Sequence, residues 1–374
     1  MPTLEQLDHA MLSSGRAVPA IHRLGGGQIA MAGTGQPWRV RGEEAVVYQL
    51  RQANGRVVAL RCPLCDEIDP DLARRYQSLA THSAIRTLGG LANSPIIEGH
   101  AYVAEGVTLS AEEFRSHAHP VMAMDWVMGP TLLAAVDRAC RAGDQDYLAA
   151  LASSWAVAIE TLSEAGFSHG DLTGDNILVR PGGGMALVDY DTAYWSGIDQ
   201  GLLTRREGTV GYRHPTGEPP PAPQLRDNFA ALVIYASLRL LARRPDLRER
   251  FGDPSGERNG GLLFTAWDLV DPDVSPAFEA VREFAEPDLR FLVETLEYAC
   301  LAPADEAPVL GDVSERVRLA ARGQLTPRAV VRRSGLDHLG GAPAASSKAT
   351  PAPRVRQTGL NHVNSLLRAG EDDA

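Results

Sequence analysis

The spacing of apolar and polar residues divides the chain into a strand-rich first part and a helical second part. Ala45-Val46-Val47-Tyr48-Gln49-Leu50 and Val57-Val58-Ala59-Leu60-Arg61 are β-rich runs joined through Asn54-Gly55, a dipeptide suited to a tight hairpin because it tolerates positive φ. Asp69-Pro70-Asp71 opens a helix that the pattern carries to about Leu88. Two further strands are predicted over Pro95 to Val107 and His119 to Trp126. From Thr131 the helical period dominates. Tyr147 to Ala165 is amphipathic and stops at Gly166, and Asn228 to Leu241 is apolar nearly all round, the signature of a buried helix. Another clear helix runs from Asp288 to Leu301. The expected fold is α+β and bilobal. An extension (1–40) is laid on a β-rich lobe (41–128), a helical lobe (129–322) follows, and 323–374 form a flexible tail.

Between the two parts lies the stretch Phe167 to Tyr194, FSHGDLTGDNILVRPGGGMALVDYDTAY. Ile177-Leu178-Val179 and Met185 to Val188 flank Pro181 and three glycines, which predicts a hairpin. Asp171, Asn176 and Asp189 stand just outside its strands. Two carboxylates and an amide at one mouth suit an oxygen-loving cation such as Mg²⁺.

Composition narrows the function classes. The chain has 374 residues, 44% hydrophobic and 22% charged, as in ordinary globular proteins. Its formal net charge of −11 opposes binding to nucleic acid or anionic membranes. No apolar run approaches the ~20 residues of a membrane span, and the first residues lack the basic and apolar regions of a secretory signal. Cys62-Pro-Leu-Cys65 has metal-like spacing, but Cys140 and Cys300 stand apart, so the cysteines are read as reduced thiols in a cytoplasmic protein. Nearly all the positive charge is arginine; the single lysine is Lys348.

With these elements in place, residues 40 to 320 resemble a eukaryotic-type protein kinase domain. His169-Gly170-Asp171-Leu172-Thr173-Gly174-Asp175-Asn176 resembles the catalytic loop H-R-D-L-x-x-x-x-N, and Asp189-Tyr190-Asp191 stands where the family has D-F-G. Gly208-Thr209-Val210-Gly211-Tyr212 resembles the end of an activation segment, and Asp227 the residue that opens the central helix of the second lobe. Met124-Asp125-Trp126-Val127 resembles the hinge that bonds adenine through its backbone. The ending Leu187-Val188-Asp189-Tyr190-Asp191 also resembles a group of bacterial kinase-like proteins. The resemblance implies ATP and Mg²⁺ as cofactors. Asp171 would receive the proton of an acceptor hydroxyl, Asn176 and Asp189 would hold the metal, and Val127 would lie against the base.

Departures from the family pattern concern the phosphate side. Val58-Ala59-Leu60-Arg61 stands where V-A-I-K carries the phosphate-pairing lysine, and the guanidinium fork is not equivalent to an ammonium. The helix from Asp71 contains no glutamate; Gln77 is its best-placed acceptor for Arg61. The glycine-rich loop becomes Val40-Arg41-Gly42-Glu43-Glu44-Ala45. Thr216 replaces the Glu of A-P-E, and Ala307 stands where its arginine partner would be expected. Gly170 replaces the arginine that grips a phosphorylated activation loop, so no such switch through Thr204 or Thr209 is expected.

Two functions follow from this pattern. One is an atypical Ser/Thr-type kinase using Asp171, Asn176, Asp189 and Arg61 on a protein partner. The other is a pseudokinase serving as a nucleotide-responsive regulatory scaffold, and a structural protein without nucleotide is a third reading. In the tail, Arg354, Arg356 and Thr358 precede the stripe Leu360, Val363, Leu366 and Leu367, either a docking helix or phosphosite on a tether, or an unstructured terminus.

Overall fold

The computed structural model describes residues 2–324, apart from 14–16, 43, 66–68, 82–95, 97–99, 111–115, 205–206 and 253–260. The chain forms two packing units. One comprises Met1–Ala135, Val157–His169 and Asp175–Arg206; the other comprises Val136–Ala156, Gly170–Gly174 and the chain from Glu207 on.

The first unit is built on a six-stranded antiparallel sheet of β1 (Gln28–Ile29), β2 (Arg39–Arg41), β3 (Ala45–Arg51), β4 (Val57–Pro63), β5 (His100–Ser110) and β6 (Ser116–Asp125). Its order is β1-β3-β4-β6-β5, with β2 also paired to β3. Residues directly opposed in such a sheet share a face. Val40, Val47, Arg61, Met122 and Tyr102 therefore form one cross-strand row. Tyr48, Leu60 and Ala123 form another, on the opposite face.

That opposite face is covered by α1 (Leu4–Leu12) and α2 (Pro19–Arg23). Thr3 and Gln6 form a capping box at the start of α1, which satisfies two of its orphan amides. Leu7, Met11, Val18 and Ile21 then pack into one core with Val46, Tyr48, Leu60, Val107 and Val121. The expected extension thus supplies a full layer of the first unit. Asp8 binds it to the strands: Tyr48 Oη donates to Asp8 Oδ1 at 2.8 Å, and Arg39 lies 3.2 Å from Asp8 Oδ2.

On the row bearing Arg61 packs α3 (Leu72–Thr81), through Leu72 and Tyr76 against Met122 and Tyr102. The expected continuation of this helix to Leu88 lies outside the described residues. Of the strand expected from Pro95, the described part is β5 from His100 on; Pro95 and residues 97–99 lie outside the described residues. Ile96, fully buried, instead accepts a hydrogen bond from Leu187 N at 2.8 Å, so its apolar side chain reflects a separate contact.

After the sheet come α4 (Leu132–Ala142), α5 (Gln145–Glu164), the short strand β7 (Phe167–Ser168) and the expected hairpin, β8 (Ile177–Val179) with β9 (Met185–Leu187). A two-residue strand, β10 (Tyr194–Trp195), pairs back with β7. The segment leaving the sheet is fastened to β8, because Val179 N donates to Pro130 O at 2.9 Å. A Cβ on Gly129, at φ +137°, would lie 1.9 Å from Val179 O, so only glycine fits this crossing.

In the second unit, α6 (Asn228–Arg243) is buried along most of its length, as its unbroken apolar pattern requires. Trp155 Nε1 donates to Ala231 O at 3.0 Å. Around α6 come α7 (Leu247–Phe251), α8 (Ala266–Val270), α9 (Pro276–Arg282), α10 (Pro287–Leu301) and α11 (Leu310–Ala321). Phe264 stacks on Phe278 at 4.6 Å. Arg248, 3% exposed, is balanced by Asp137 at 2.7 Å and by the carbonyls of Gly261 and Leu262. The expected tail helix lies outside the described residues. Among the described residues, no helix is long and apolar enough to cross a membrane.

If α1 is a core layer, Leu7→Ala should destabilise the protein by about 2–5 kcal/mol, the usual cost of a cavity at a fully buried leucine. Urea denaturation checks this; a loss within ~0.5 kcal/mol would mark α1 as a dispensable attachment.

Candidate active site

The first unit gathers Arg61, Tyr76, Asn176, Asp189 and Asp191. Val188 N donates to Asn176 O at 3.0 Å, extending the β8–β9 pairing by one step and bringing Asn176 and Asp189 to the same end of the hairpin. Asp189 has φ +67° and is the single non-glycine residue with positive φ among the described residues. Aspartate tolerates this left-handed conformation better than most side chains. It is followed by Tyr190, 2% exposed, whose hydroxyl donates to Leu187 O at 2.6 Å. The Tyr190 ring lies edge-on to His100 and His169. His169 Nε2 lies 2.9 Å from Val188 O, and its carbonyl accepts from Thr192 Oγ1 at 2.9 Å. These contacts hold the Asp-Tyr-Asp segment by its backbone and its central ring.

Arg61 projects from β4 toward both carboxylates. Its Nη2 donates to Asp189 Oδ2 at 3.0 Å and its Nη1 to Asp191 Oδ2 at 2.9 Å. Tyr76 Oη donates to Asp191 Oδ1 at 2.8 Å. Burial alone would depress the arginine pKa, but the charges of Asp189 and Asp191 more than reverse it and keep the guanidinium charged. Burial and the neighbouring Asp191 also hold the Tyr76 phenol well above its ordinary range, so it remains a donor.

This arrangement corrects the expected partner of Arg61. Gln77 is exposed on α3 and lies on the wrong side of the helix. Tyr76, one residue earlier, shares the inward face with Leu72 and Leu79. The second acidic contact comes from Asp191, which occupies the glycine position of the D-F-G pattern.

A divalent cation fits the donor set at the hairpin mouth. Asp189 and Asn176 offer hard carboxylate and amide oxygens, and Mg²⁺ is ordinarily held by one or two such groups together with phosphate oxygens and water. Among the described residues no cluster of three or more His, Cys, Asp or Glu could hold a metal, and all four cysteines are free. Val127, 5% exposed, follows Trp126, whose amide donates to Val57 O at 3.0 Å. Trp126 meets Trp38 edge-to-face at 5.3 Å. Between β2 and β3, Gly42 remains of the three glycines in the pattern, and Val40 and Ala45 replace the other two.

Asp171 belongs to the second unit. Gly170, at φ +81°, gives its amide to Asp227 Oδ1 at 2.8 Å, so the aspartate opening α6 is used to hold the catalytic-type loop. Asp171 Oδ1 accepts from Thr209 N at 2.7 Å. Gly208 packs close by, where a Cβ would lie 3.2 Å from Gly170 O. Farther along, His214 lies 2.9 Å from Thr216 Oγ1 and 3.0 Å from Ala299 O. Asn228 Nδ2 donates to the carbonyl of buried Ala307 at 3.2 Å. Neutral hydrogen bonds thus stand where the protein-kinase pattern would place a Glu–Arg ion pair.

His100, packed against Tyr76 and Tyr190, is pushed down to about 4 by burial. In the unfolded chain it titrates near ~6.5, so between these values the unfolded state binds the extra proton. Stability should therefore fall as pH drops from about 6.5 to about 4, with His100 contributing roughly 3 kcal/mol of the loss. Thermal midpoints measured across this range should decline less steeply for His100→Gln; an unchanged slope would contradict the assignment.

The sequence profile of the Phosphotransferase enzyme family, APH, matches residues 5–241, from α1 through the end of the buried helix α6. No curated protein matches the chain. With well over half of its length covered, the hairpin and loops just described included, the chain belongs to the phosphotransferase enzyme family.

Proposed function

We propose that the protein transfers the γ-phosphoryl group of ATP to a hydroxyl acceptor, with Asp171 as proton acceptor. Asn176 and Asp189 hold Mg²⁺, which when bound neutralises the nucleotide phosphates. Arg61 supplies a fixed cation for the same phosphates. What carries this reading is the hairpin mouth, where Asn176 and Asp189 share one end and a buried arginine lies 3.0 Å from Asp189. Phosphoryl transfer depends mainly on positioning and on stabilising charge, so few groups are required. Val127 borders the place of the base, next to the aromatic pair Trp38 and Trp126.

The family description supports phosphoryl transfer without naming an acceptor. The resemblance of Gly208-Thr209-Val210-Gly211-Tyr212 to a protein-kinase activation segment is what carries the reading of a Ser/Thr hydroxyl on a protein partner as acceptor. A small polyhydroxylated molecule is the competing acceptor. A second reading, a nucleotide-responsive scaffold without transfer, draws on the β2–β3 connection, where Val40 and Ala45 stand in place of two phosphate-covering glycines. Glycine loss there weakens backbone closure on the triphosphate.

Saturating ATP with Mg²⁺, near 100 times the dissociation constant, should stabilise the wild type by about 2.7 kcal/mol, seen as a rise in melting midpoint. Asp189→Ala should lose most of that rise. Labelled ATP with Ser/Thr peptides and with polyhydroxylated small molecules identifies the acceptor. Asp171→Ala should lower transfer by at least about 100-fold while still binding ATP. Transfer that survives this substitution would remove Asp171 from the chemistry. Binding without transfer to any acceptor would favour the scaffold.

A further inference from the structure

The geometry points to Asp191 as the residue that positions Arg61 for the nucleotide phosphates, with Tyr76 orienting Asp191 in turn. This deepens the ATP reading above and rests on it. In the protein-kinase pattern the phosphate-pairing cation is held by a glutamate on the first-lobe helix. Here that helix contributes no carboxylate among its described residues Leu72–Thr81.

The second carboxylate comes instead from the segment that carries Asp189. Asp191 Oδ2 accepts from Arg61 Nη1 at 2.9 Å, and its other oxygen, Oδ1, accepts from Tyr76 at 2.8 Å. Each oxygen therefore has a defined partner, which sets the plane of the carboxylate. The guanidinium, in turn, has its two terminal nitrogens directed to two different aspartates. A planar fork gripped at both tips cannot rotate, whereas an ammonium in its place would be a single point of charge. The number of charges is that of the family site, one cation and two anions. Only the source of the second anion differs.

Arg61 is thus placed by its own strand and by the Asp-Tyr-Asp segment, both anchored in backbone pairing. The helix contributes one neutral hydrogen bond from Tyr76. Displacing α3 would leave both ion pairs in place, so control by helix position is not built into this cation.

The test compares ligands that do and do not carry the outer phosphates. ATP and adenosine binding to the full-length protein are measured by calorimetry for wild type, Asp191→Asn, Asp191→Glu, Tyr76→Phe, Arg61→Ala and the Asp191→Asn/Arg61→Ala double variant. Asp191→Asn should weaken ATP about tenfold and leave adenosine unchanged, a selectivity that general loosening of the fold would not produce. Asp191→Glu should recover part of the loss, and Tyr76→Phe should cost a few-fold. In the Arg61→Ala background, Asp191→Asn should add nothing. Equal weakening of ATP and adenosine would reduce Asp191 to a structural role. Unchanged or tighter ATP binding by Asp191→Asn would overturn the assignment while leaving the ATP reading intact. A wild type that binds neither ligand would overturn both.

Discussion

A buried positive charge must be matched, and in this protein the matching of Arg61 organises the first unit. Its side chain is 11% exposed, deep enough that an unpaired guanidinium would be very costly. Two aspartates from one short segment meet it, and this requires Asp189 to adopt a left-handed backbone and Tyr190 to bury its ring. Burying that ring calls for His100 and His169 beside it. The strand register that places Arg61 between Val47 and Met122 is tied to the same requirement, since a slip of one residue would turn the charge to the other face. The electrostatic pairing and the fold around it therefore constrain each other.

A second constraint is the two-sidedness of the sheet. One face carries the row with Arg61, Met122 and Tyr102, and the other is closed by α1 and α2. Asp8 links the covering helix to β2 and β3 through Arg39 and Tyr48. The β2–β3 hairpin is thus braced from behind by polar contacts as well as apolar packing. In the second unit, Asp227 plays a comparable part by spending its carboxylate on the Gly170 amide.

Much of this was legible in the residues. The strands, the central hairpin and the buried helix are written in periodicity and turn chemistry, and Asp171, Asn176 and Asp189 stand out because they interrupt apolar runs at element ends. Gln77 has the chemical type to pair with Arg61 but the wrong helix register. Leu72, Tyr76 and Leu79 mark the buried face at spacings of four and three, which already turns Gln77 outward. Asp191 was visible beside Asp189, but its pairing depends on a backbone turn that no local pattern announces. The α1 stripe of Leu4, Leu7 and Met11 signals an amphipathic helix; which surface it covers is decided by strands far along the chain.

That distance has a consequence for how the protein comes into being. The helices at residues 4–23 need β5 and β6, which end at Asp125, before their apolar faces have a permanent partner. At a synthesis rate of about 5–20 residues per second, the gap of roughly 100 residues lasts about 5–20 s. During that interval α1 and α2 lack the part of their apolar partner surface that β5 and β6 supply. The segment that covers the sheet is therefore made well before β5 and β6, the strands that complete the surface it packs on.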